Sequence, residues 1–339
     1  MFVVSAEQDG KVVRVGTHGM TVKYKDGTEA SYPLGIRYGK SAGVIHKQSV
    51  VPFYKEGETF KEGHVLAYNE YYFEPDRMNP KYVLYKDSMS LRMAILDNIH
   101  QHEDGSMITD RVAKLMTTGI TEYNDIVIGF DKVVTNLKDI GDHVDMETVL
   151  GVVSSPEAPF EGELDEDAIA LLRQVGGTVT VAETPGDITR MEVYYRGEYE
   201  DLSDSLKKVV DKIERRNKAI AKEGGEEFYP GKVDTSFRRN GNPIEPGTAV
   251  IRFFVTHDMN VQRGDKSTCS LQLKSIFSRI ITETFETESG IRLDGGFGQT
   301  SILDRMVGSA YNNGQATALL RDMSHIAVDI YNGKRKSIY

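Results

Sequence analysis

The sequence predicts a mainly β protein with helical inserts, an α+β fold, and three observations support this prediction. Short runs of alternating polar and apolar residues dominate the first 155 residues. Glycine-containing turns separate these runs from one another. Apolar residues at helical spacing are confined to a few stretches, for example residues 201–223.

The predicted elements follow in chain order. Residues 11–15 and 20–24 are alternating runs separated by a glycine-containing turn, a pattern typical of a β-hairpin.

A weak repeat follows, since residues 54–67 and 137–150 each place a polar turn with glycine before a polar stretch and an apolar strand. We expect two β-hairpins of one style. That style is similar to biotinyl and lipoyl carrier domains, but neither turn carries the Met-Lys-Met tip of those domains, so structural hairpins are expected.

Between the repeats, the spacing of apolar residues predicts a helix that begins at about Asp110. Residues 154–170 then change to an acidic composition with two prolines, which indicates a boundary. A strand pair, an amphipathic helix with a basic side at 201–223, an apolar strand at 249–255 and a helix at 316–331 complete the chain. The expected divisions are 1–155, a helix-bearing insertion at 156–245, a second β part at 246–310 and a tail at 311–339.

Length and composition narrow the class of protein. The 339 residues fit one or two domains, and 39% hydrophobic with 27% charged residues is a globular composition. The single Cys269 cannot form an internal disulfide or build a zinc ribbon or an iron–sulfur cluster, so we expect a reducing compartment and a small buried apolar role for this residue. The start carries no basic signal-peptide region and no stretch approaches about 20 apolar residues, so we expect a cytoplasmic chain without membrane contact.

The net charge of −10 argues against a non-specific DNA binder with a basic surface. Any nucleic-acid contact must come from a few placed cations. Four cations, Arg263, Lys266, Lys274 and Arg279, lie among small and apolar residues after a predicted core strand. This setting favours phosphate contacts over a solvated charged face.

Two other segments are candidate sites. His100, His102 and Asp104 would share one side of an extended strand, where they could bind zinc or a hydrolytic metal pair. Glu103 and Asp104 could also support a metal whose main ligands lie on another chain. The glycine-rich residues 295–300 lack the lysine of a phosphate-binding loop and are predicted to form a flexible turn.

Gly264-Asp265-Lys266, followed eight positions later by Lys274, resembles an element of the beta subunit of multisubunit DNA-dependent RNA polymerases, which carries two lysines at the same separation. Residues 41–67, 102–112, 137–152 and 304–306 resemble further elements of that subunit, in the family's order. The ordered matches extend from Val12 to Met306 and cover most of the chain.

The resemblance implies a double-psi β-barrel with barrel-sandwich-like hairpins, interrupted by a flap at the position of residues 156–245. It assigns Lys266 and Lys274 to the RNA 3′ end and to the phosphates of the incoming nucleotide. It also places Arg305 on the triphosphate, and Glu103 and Asp104 near the second Mg²⁺. These roles suit phosphoryl transfer, which depends on positioning and on neutralising developing charge.

The sequence also departs from the family. Residues 267–273 replace the glycine-rich stretch that the family has between the two lysines, and no aspartate triad is present to hold the catalytic Mg²⁺. The resemblance therefore implies a beta-prime-like partner with that triad, an amino-terminal beta-like partner, a DNA template, an RNA transcript and nucleoside triphosphates. Such a short chain resembles the split polymerases of giant bacteriophages, which act in the infected cell or are packaged in the virion, or a fragment of a longer beta subunit. A metal-dependent hydrolase and a non-catalytic β-barrel scaffold remain the alternatives.

Overall fold

The computed structural model describes residues 3–41, 43–76, 78–79, 81–86, 88–101, 103–157, 177–225, 231–269, 273–304 and 308–337. The chain is mainly β, with 43% strand and 19% helix, and has a curled half-barrel sheet. It divides into two compact units, each built from two stretches of sequence. Unit 1 contains residues 1–87 and 119–258, and unit 2 contains residues 88–118 and 259–339. The predicted α+β class with mostly strands is confirmed.

The strands of unit 1 fall before and after the segment 88–118. They are β1 (Val3–Ser5), β2 (Gly10–Val15), β3 (Gly19–Tyr24), β4 (Glu29–Pro33), β5 (Gly35–Ser41), β6 (Val44–Pro52), β7 (Thr59–Phe60), β8 (Val65–Asn69), β9 (Phe73–Pro75), β10 (Val83–Tyr85), β13 (Thr118–Gly129), β14 (Val133–Thr135), β15 (His143–Val144), β16 (Val149–Ser154), β17 (Thr178–Val181), β18 (Gly186–Arg196), β19 (Gly231–Lys232), β20 (Arg238–Arg239), β21 (Asn242–Pro243) and β22 (Thr248–Met259). Unit 2 contributes β11 (Met93–Ile95), β12 (Gly105–Thr109), β23 (Lys266–Cys269), β24 (Leu273–Ile281) and β25 (Gly295–Phe297). The helices are α1 (Asp110–Leu115), α2 (Asp204–Lys222), α3 (Gln299–Asp304) and α4 (Gly308–Tyr331), with a 3₁₀ turn at Tyr199–Asp201.

A nine-stranded sheet is the centre of unit 1, with its main path in the order β1-β8-β6-β13-β22-β18-β15. β18 and β22 pair antiparallel along nearly their whole length, from Asp187 opposite Thr256 to Arg196 opposite Thr248. β22 is a run of β-branched and aromatic residues, which suit a pleated surface, and most of it is buried. The predicted strand at 249–255 lies within β22 and is confirmed.

Helix α2 covers the apolar face of this sheet. Its buried residues Leu206, Val210 and Ile213 follow the spacing i, i+4, i+7, which places them on one side of the helix. They join a core that includes Ile251 and Phe253 of β22. Burying a side chain of this size contributes about 1.5–3 kcal/mol. The helix predicted at 201–223 is therefore confirmed, apart from a start a few residues later, where the Ser203 side chain accepts a hydrogen bond from the Leu206 amide.

The predicted hairpin near the start is also confirmed. β2 and β3 pair antiparallel and belong to a four-stranded sheet in the order β4-β3-β2-β7. Gly27, with φ of 91°, closes the turn between β3 and β4 in the left-handed region that glycine adopts without strain. Val12, Met20 and Val22 are fully buried and form the centre of a second core.

The two copies of the repeat have similar structures, but neither copy is a hairpin. In each copy a two-residue strand (β7 or β15) precedes a buried strand (β8 or β16), and the copies correspond at a separation of 84 residues. β7 pairs with β2 and β15 pairs with β18, so neither short strand pairs with the strand that follows it. The physical reason is that the strands after them pair elsewhere: β8 lies between β1 and β6, and β16 lies between β14 and β17.

The hydrogen bonds of the two copies match in detail. In the first copy the Ala6 amide donates to the carbonyl of His64 and the Val12 amide donates to that of Glu58. In the second, the Ala182 amide donates to Thr148 and the Ile188 amide donates to Asp142. Residues 58 and 64 correspond to residues 142 and 148 in the repeat, and the two partners are six residues apart in both copies. Unit 1 therefore contains a duplicated β motif whose partner strands come before one copy and after the other.

Unit 2 contains a mixed five-stranded sheet in the order β11-β25-β12-β24-β23. β12 runs parallel to β24 and antiparallel to β25, while β11 runs parallel to β25. Helix α1 begins at Asp110, as predicted, and buries Val112 and Ala113. Ile108, Val112 and Phe277 form a small core beside it.

The glycine-rich segment at 295–298 was expected to be a flexible turn, and this prediction is wrong. Residues 295–297 form β25, a buried strand between β11 and β12. A Cβ atom on Gly295 would lie 2.3 Å from the Met107 carbonyl oxygen, and one on Gly298 would lie 2.5 Å from that of Gln101. The glycines are therefore needed for close approach of backbones rather than for flexibility.

The helix predicted at 316–331 lies within α4, which buries no residue. Its exposed apolar residues include Leu319, Leu320 and Met323. In the described part of the chain, no helix combines the length and the apolar character that crossing a membrane requires.

Candidate functional site

The β23–β24 hairpin places Lys266 and Lys274 on the same face. In its antiparallel register Lys266 lies opposite Ile276 and Thr268 lies opposite Lys274. Residues opposite each other share a face and residues two apart along a strand return to it, so these four side chains project together. Exposure follows the same alternation, since Lys274 and Ile276 are exposed and Ser275 between them is buried.

A tight turn holds the start of β23 in place. Gly264 has φ of 100°, a conformation that strains any residue with a Cβ atom. The Asp265 carboxylate accepts a hydrogen bond from the Gln262 amide at 2.9 Å, and the Asp265 carbonyl accepts one from the Phe277 amide at 2.9 Å. The first bond closes the turn and the second anchors it to β24. Together they fix the start of β23, where Lys266 lies.

Asp104 lies beside the same hairpin. It directly precedes β12, whose first residue Gly105 is in register with Ile276 of the parallel strand β24. The Asp104 carbonyl oxygen accepts a hydrogen bond from the Ile276 amide at 2.9 Å. Glu103 and Asp104 are exposed, and Glu103 adopts a left-handed conformation with φ of 53°. The backbone therefore places this acidic turn next to the strand that carries Lys274.

These elements surround a cavity of about 510 Å³. The described residues that line it are Asp104, Lys266, Ser267, Thr268, Lys274, Ser275 and Ile276. Two lysines and one aspartate thus line the same cavity, together with residues that carry hydroxyl groups. Lysines are compact donors suited to phosphate oxygens, so the lining favours an anionic, phosphate-bearing ligand.

The other predicted cations are placed differently. Arg279 lies on β24 and pairs with Glu283 at 2.8 Å, and Arg263 is exposed within the turn that precedes β23. Neither is among the described residues that line the cavity. Arg305 lies outside the described residues, so its predicted role on the triphosphate stays a prediction.

The structure places His100 and Asp104 in turns rather than in the extended strand that the prediction needs. The left-handed Glu103 interrupts any alternation between these residues. His102 itself lies outside the described residues. Across the described ranges, no three His, Cys, Asp or Glu side chains come together in a group that could hold a metal ion.

Sequence reasoning missed the hydroxyl residues of the cavity, Ser267, Thr268 and Ser275. The sequence carries no clear signal for them, because the exposed face of residues 273–277 holds the apolar Ile276 and the buried face holds the polar Ser275. The side chain of Cys269 is outside the described positions, and its predicted buried role stays a prediction.

No family model matches this sequence.

Proposed function

We propose that this chain is the beta-side half of the active centre of a multisubunit DNA-dependent RNA polymerase. The observation that carries the proposal is the meeting of Lys266, Lys274 and Asp104 at one cavity. The sequence resemblance singled out these three residues from two segments that are more than 150 positions apart. The fold brings both segments to adjacent strands, β12 and β24, which supports a shared role.

The proposed chemistry needs cations near the phosphates rather than a nucleophile from the protein. In nucleotide addition the RNA 3′ hydroxyl oxygen attacks the α-phosphorus of the incoming nucleotide, and pyrophosphate leaves with the electron pair of the broken P–O bond. Lys266 and Lys274 would bind the RNA end and the phosphates and stabilise the negative charge that develops on their oxygens. Because the two lysines lie on paired strands, their positive charges are preorganised for the substrate.

Mg²⁺ fits the acidic turn in one respect and not in another. Glu103 and Asp104 are exposed, and protein-bound Mg²⁺ commonly uses one or two carboxylates together with water and substrate phosphates. The described residues provide no group of three or more ligands, so the remaining ligands would come from a partner subunit. When bound, the ion would neutralise charge on the phosphates. Glu103 and Asp104 would contribute carboxylate oxygens to it, directly or through water.

The finer architecture is also part of the proposal. We place the mixed sheet of unit 2 in a double-psi β-barrel, and we place residues 156–245 at the position of the flap. Parallel pairing of β12 with β24 and of β11 with β25 supports this assignment, since those pairs join strands distant in sequence. The expected partners are a beta-prime-like subunit with the aspartate triad, an amino-terminal beta-like subunit, DNA, RNA and nucleoside triphosphates.

The test is elongation by an assembly reconstituted from this chain and its co-purifying partners. We expect Lys266→Ala and Lys274→Ala each to lower the elongation rate by about 10²-fold, the scale for loss of one preorganised electrostatic contact. Lys114→Ala serves as the control, because Lys114 is an exposed lysine of unit 2 paired with Asp110 and does not line the cavity. It should elongate at the wild-type rate.

Two results would contradict the proposal. One is wild-type elongation by the Lys274→Ala assembly with intact subunit composition. The other is a purified chain that retains stoichiometric zinc or manganese and hydrolyses phosphate esters, which would favour a metal-dependent hydrolase.

A further inference from the structure

A buried serine connects the acidic turn to the strand that carries Lys274. Ser275 is 2% exposed, and its Oγ lies 2.9 Å from the Asp104 carbonyl oxygen and 2.6 Å from the Oγ of Ser106. The Ser275 hydroxyl is placed to donate to both oxygens, so its single proton is shared between the Asp104 carbonyl and the Ser106 hydroxyl. Ser106 is fully buried, which leaves no water to compete for these groups.

The Asp104 carbonyl therefore accepts two hydrogen bonds from consecutive residues of β24. The Ile276 amide donates the first at 2.9 Å and the Ser275 hydroxyl donates the second at 2.9 Å. A carbonyl with two donors loses the freedom to rotate its peptide plane. The Asp104 Cα atom lies in the same peptide plane, so these two bonds fix the position of the atom from which the Asp104 side chain leaves the backbone.

Lys274 is the residue just before Ser275, and its side chain leaves β24 on the opposite face. Lys274 and Asp104 line the same cavity. The Ser275 hydroxyl thus fixes the residue that carries the carboxylate to the strand that carries the ammonium group. A displacement of about 1 Å between groups that act on one substrate can lower a rate by about 10²-fold.

The geometry points to Ser275 as a positioning residue of the reaction, which sets the Asp104 carboxylate relative to Lys274 without touching the substrate. The inference rests on the proposed function. Nothing in the sequence pattern singles out this serine, since small buried residues occur throughout the strands. Its significance comes from the two distances to β12.

A second serine on the same strand provides a matched control. Ser278 also links β24 to β12 through its hydroxyl, which lies within hydrogen-bond distance of the carbonyl oxygens of His100 and Ser106, the latter at 2.9 Å. Both of these carbonyl oxygens belong to residues other than Asp104. Ser278→Ala therefore removes hydroxyl contacts between the same two strands and leaves the Ser275 bond to Asp104 intact.

The experiment compares Ser275→Ala with Ser278→Ala in the reconstituted assembly. We expect Ser275→Ala to lower kcat for nucleotide addition by about 10-fold or more while the KM for nucleotide changes by less than about threefold, because binding by the lysines is retained. Ser278→Ala should keep kcat within about threefold of wild type. Both variants should melt at lower and similar temperatures, since each loses hydroxyl contacts between β12 and β24.

A second readout does not depend on activity. Amide hydrogen exchange of Ile276 in the full chain should be about 10-fold faster in Ser275→Ala than in Ser278→Ala, because the Ile276 amide donates to the Asp104 carbonyl and only the first variant loosens that carbonyl. Unchanged exchange, or faster exchange with wild-type kcat, would overturn the positioning role. Equal loss of kcat in both variants would overturn it as well, by showing a general effect of strand loosening.

Failure of the proposed function gives a different result. In that case the wild-type assembly adds no nucleotide, or Lys274→Ala leaves the rate unchanged, while the exchange difference between the two serine variants persists. That combination would refute the polymerase assignment and the positioning role with it. An exchange difference together with a selective kcat loss in Ser275→Ala supports both.

Discussion

Asp139 shows how one carboxylate ties helix α2 to the duplicated motif of unit 1. Its oxygens accept hydrogen bonds from Lys212 at 2.6 Å and from Arg216 at 2.9 Å. Partial burial alone would raise the pKa of Asp139, but the hydrogen bonds from Arg216 and Lys212 outweigh this effect and hold the pKa well below its usual range. The ionised carboxylate is therefore favoured in the folded state over the unfolded state.

This shift predicts how stability depends on pH. A lowered pKa in the folded state contributes stability above the unfolded value of 3.8, and the contribution disappears as the pH falls through the folded pKa. We expect Asp139→Asn to lower the free energy of unfolding by about 1–2 kcal/mol at pH 6. The difference from wild type should shrink as the pH falls below about 4.

Urea unfolding from pH 6 to pH 2 measures this difference. Asp201→Asn is the control, because Asp201 is an exposed aspartate at the end of the 3₁₀ turn that precedes α2, and its replacement should stay within about 0.5 kcal/mol of wild type. A gap between Asp139→Asn and wild type that stays constant across this range would show that the carboxylate charge is not the cause.

Residue identities at the candidate site were predictable from the sequence to a limited extent. Lys266, Lys274 and Asp104 were singled out by chemistry and by resemblance, and all three line the cavity. The pairing of Arg279 with Glu283 was not anticipated, although the two residues lie four positions apart. Ser275 could not be found, because its importance depends on contact with Asp104, which is 171 positions away.

At the scale of elements, periodicity predicted structure well where one face is buried. Helix α2 and the β2–β3 hairpin follow this rule, since their apolar spacing matches the residues that are buried. The repeat and the glycine-rich strand do not. β7, β15 and β25 are set by partners distant in sequence, so a local pattern gives no information on whether such a segment pairs, turns or is buried.

The strand β25 gives a test at this scale. We expect Gly295→Ala to destabilise the protein by more than about 2 kcal/mol, because the new methyl group would meet the Met107 carbonyl oxygen at 2.3 Å in the neighbouring strand. Thermal unfolding followed by circular dichroism is the measurement. A variant with wild-type stability would mean that β25 does not lie this close to β12.

Gly314→Ala is the matched control for that variant. Gly314 lies inside α4, and a Cβ atom added there would have no atom within 4 Å. Alanine favours a helix over glycine by about 1 kcal/mol, so this change should leave stability unaltered or raise it. If Gly295→Ala lowers stability and Gly314→Ala does not, the cause at Gly295 is the close approach of two backbones and not the loss of glycine flexibility.

At the scale of the whole molecule, charge is distributed unevenly. The chain has a net charge of −10, yet two lysines meet at the cavity of unit 2. The described residues offer carboxylates at Glu103 and Asp104 but no group of three or more metal ligands. Phosphoryl transfer with two metal ions needs several carboxylates close together. The proposed function assigns the remaining carboxylates to a partner chain.

The last prediction follows from the proposed function, in which a partner chain supplies the aspartate triad. The isolated chain should add no nucleotide to a primed RNA–DNA hybrid in the presence of Mg²⁺ and all four nucleoside triphosphates. Activity should appear when the beta-prime-like partner with the aspartate triad is added, and replacement of those aspartates by alanine should remove it. Single-nucleotide addition by the highly purified chain is the measurement.

A trace of contaminating polymerase could imitate activity of the isolated chain, and the Lys274→Ala variant separates the two cases. Contaminating activity would be the same in wild-type and Lys274→Ala preparations, whereas activity of the chain itself would fall by about 10²-fold with the loss of one preorganised cation. If the isolated wild-type chain adds nucleotides and Lys274→Ala lowers that activity by this factor, the chain holds a complete metal site. The two-subunit active centre would then have to be abandoned, because the carboxylates would have to come from the chain itself.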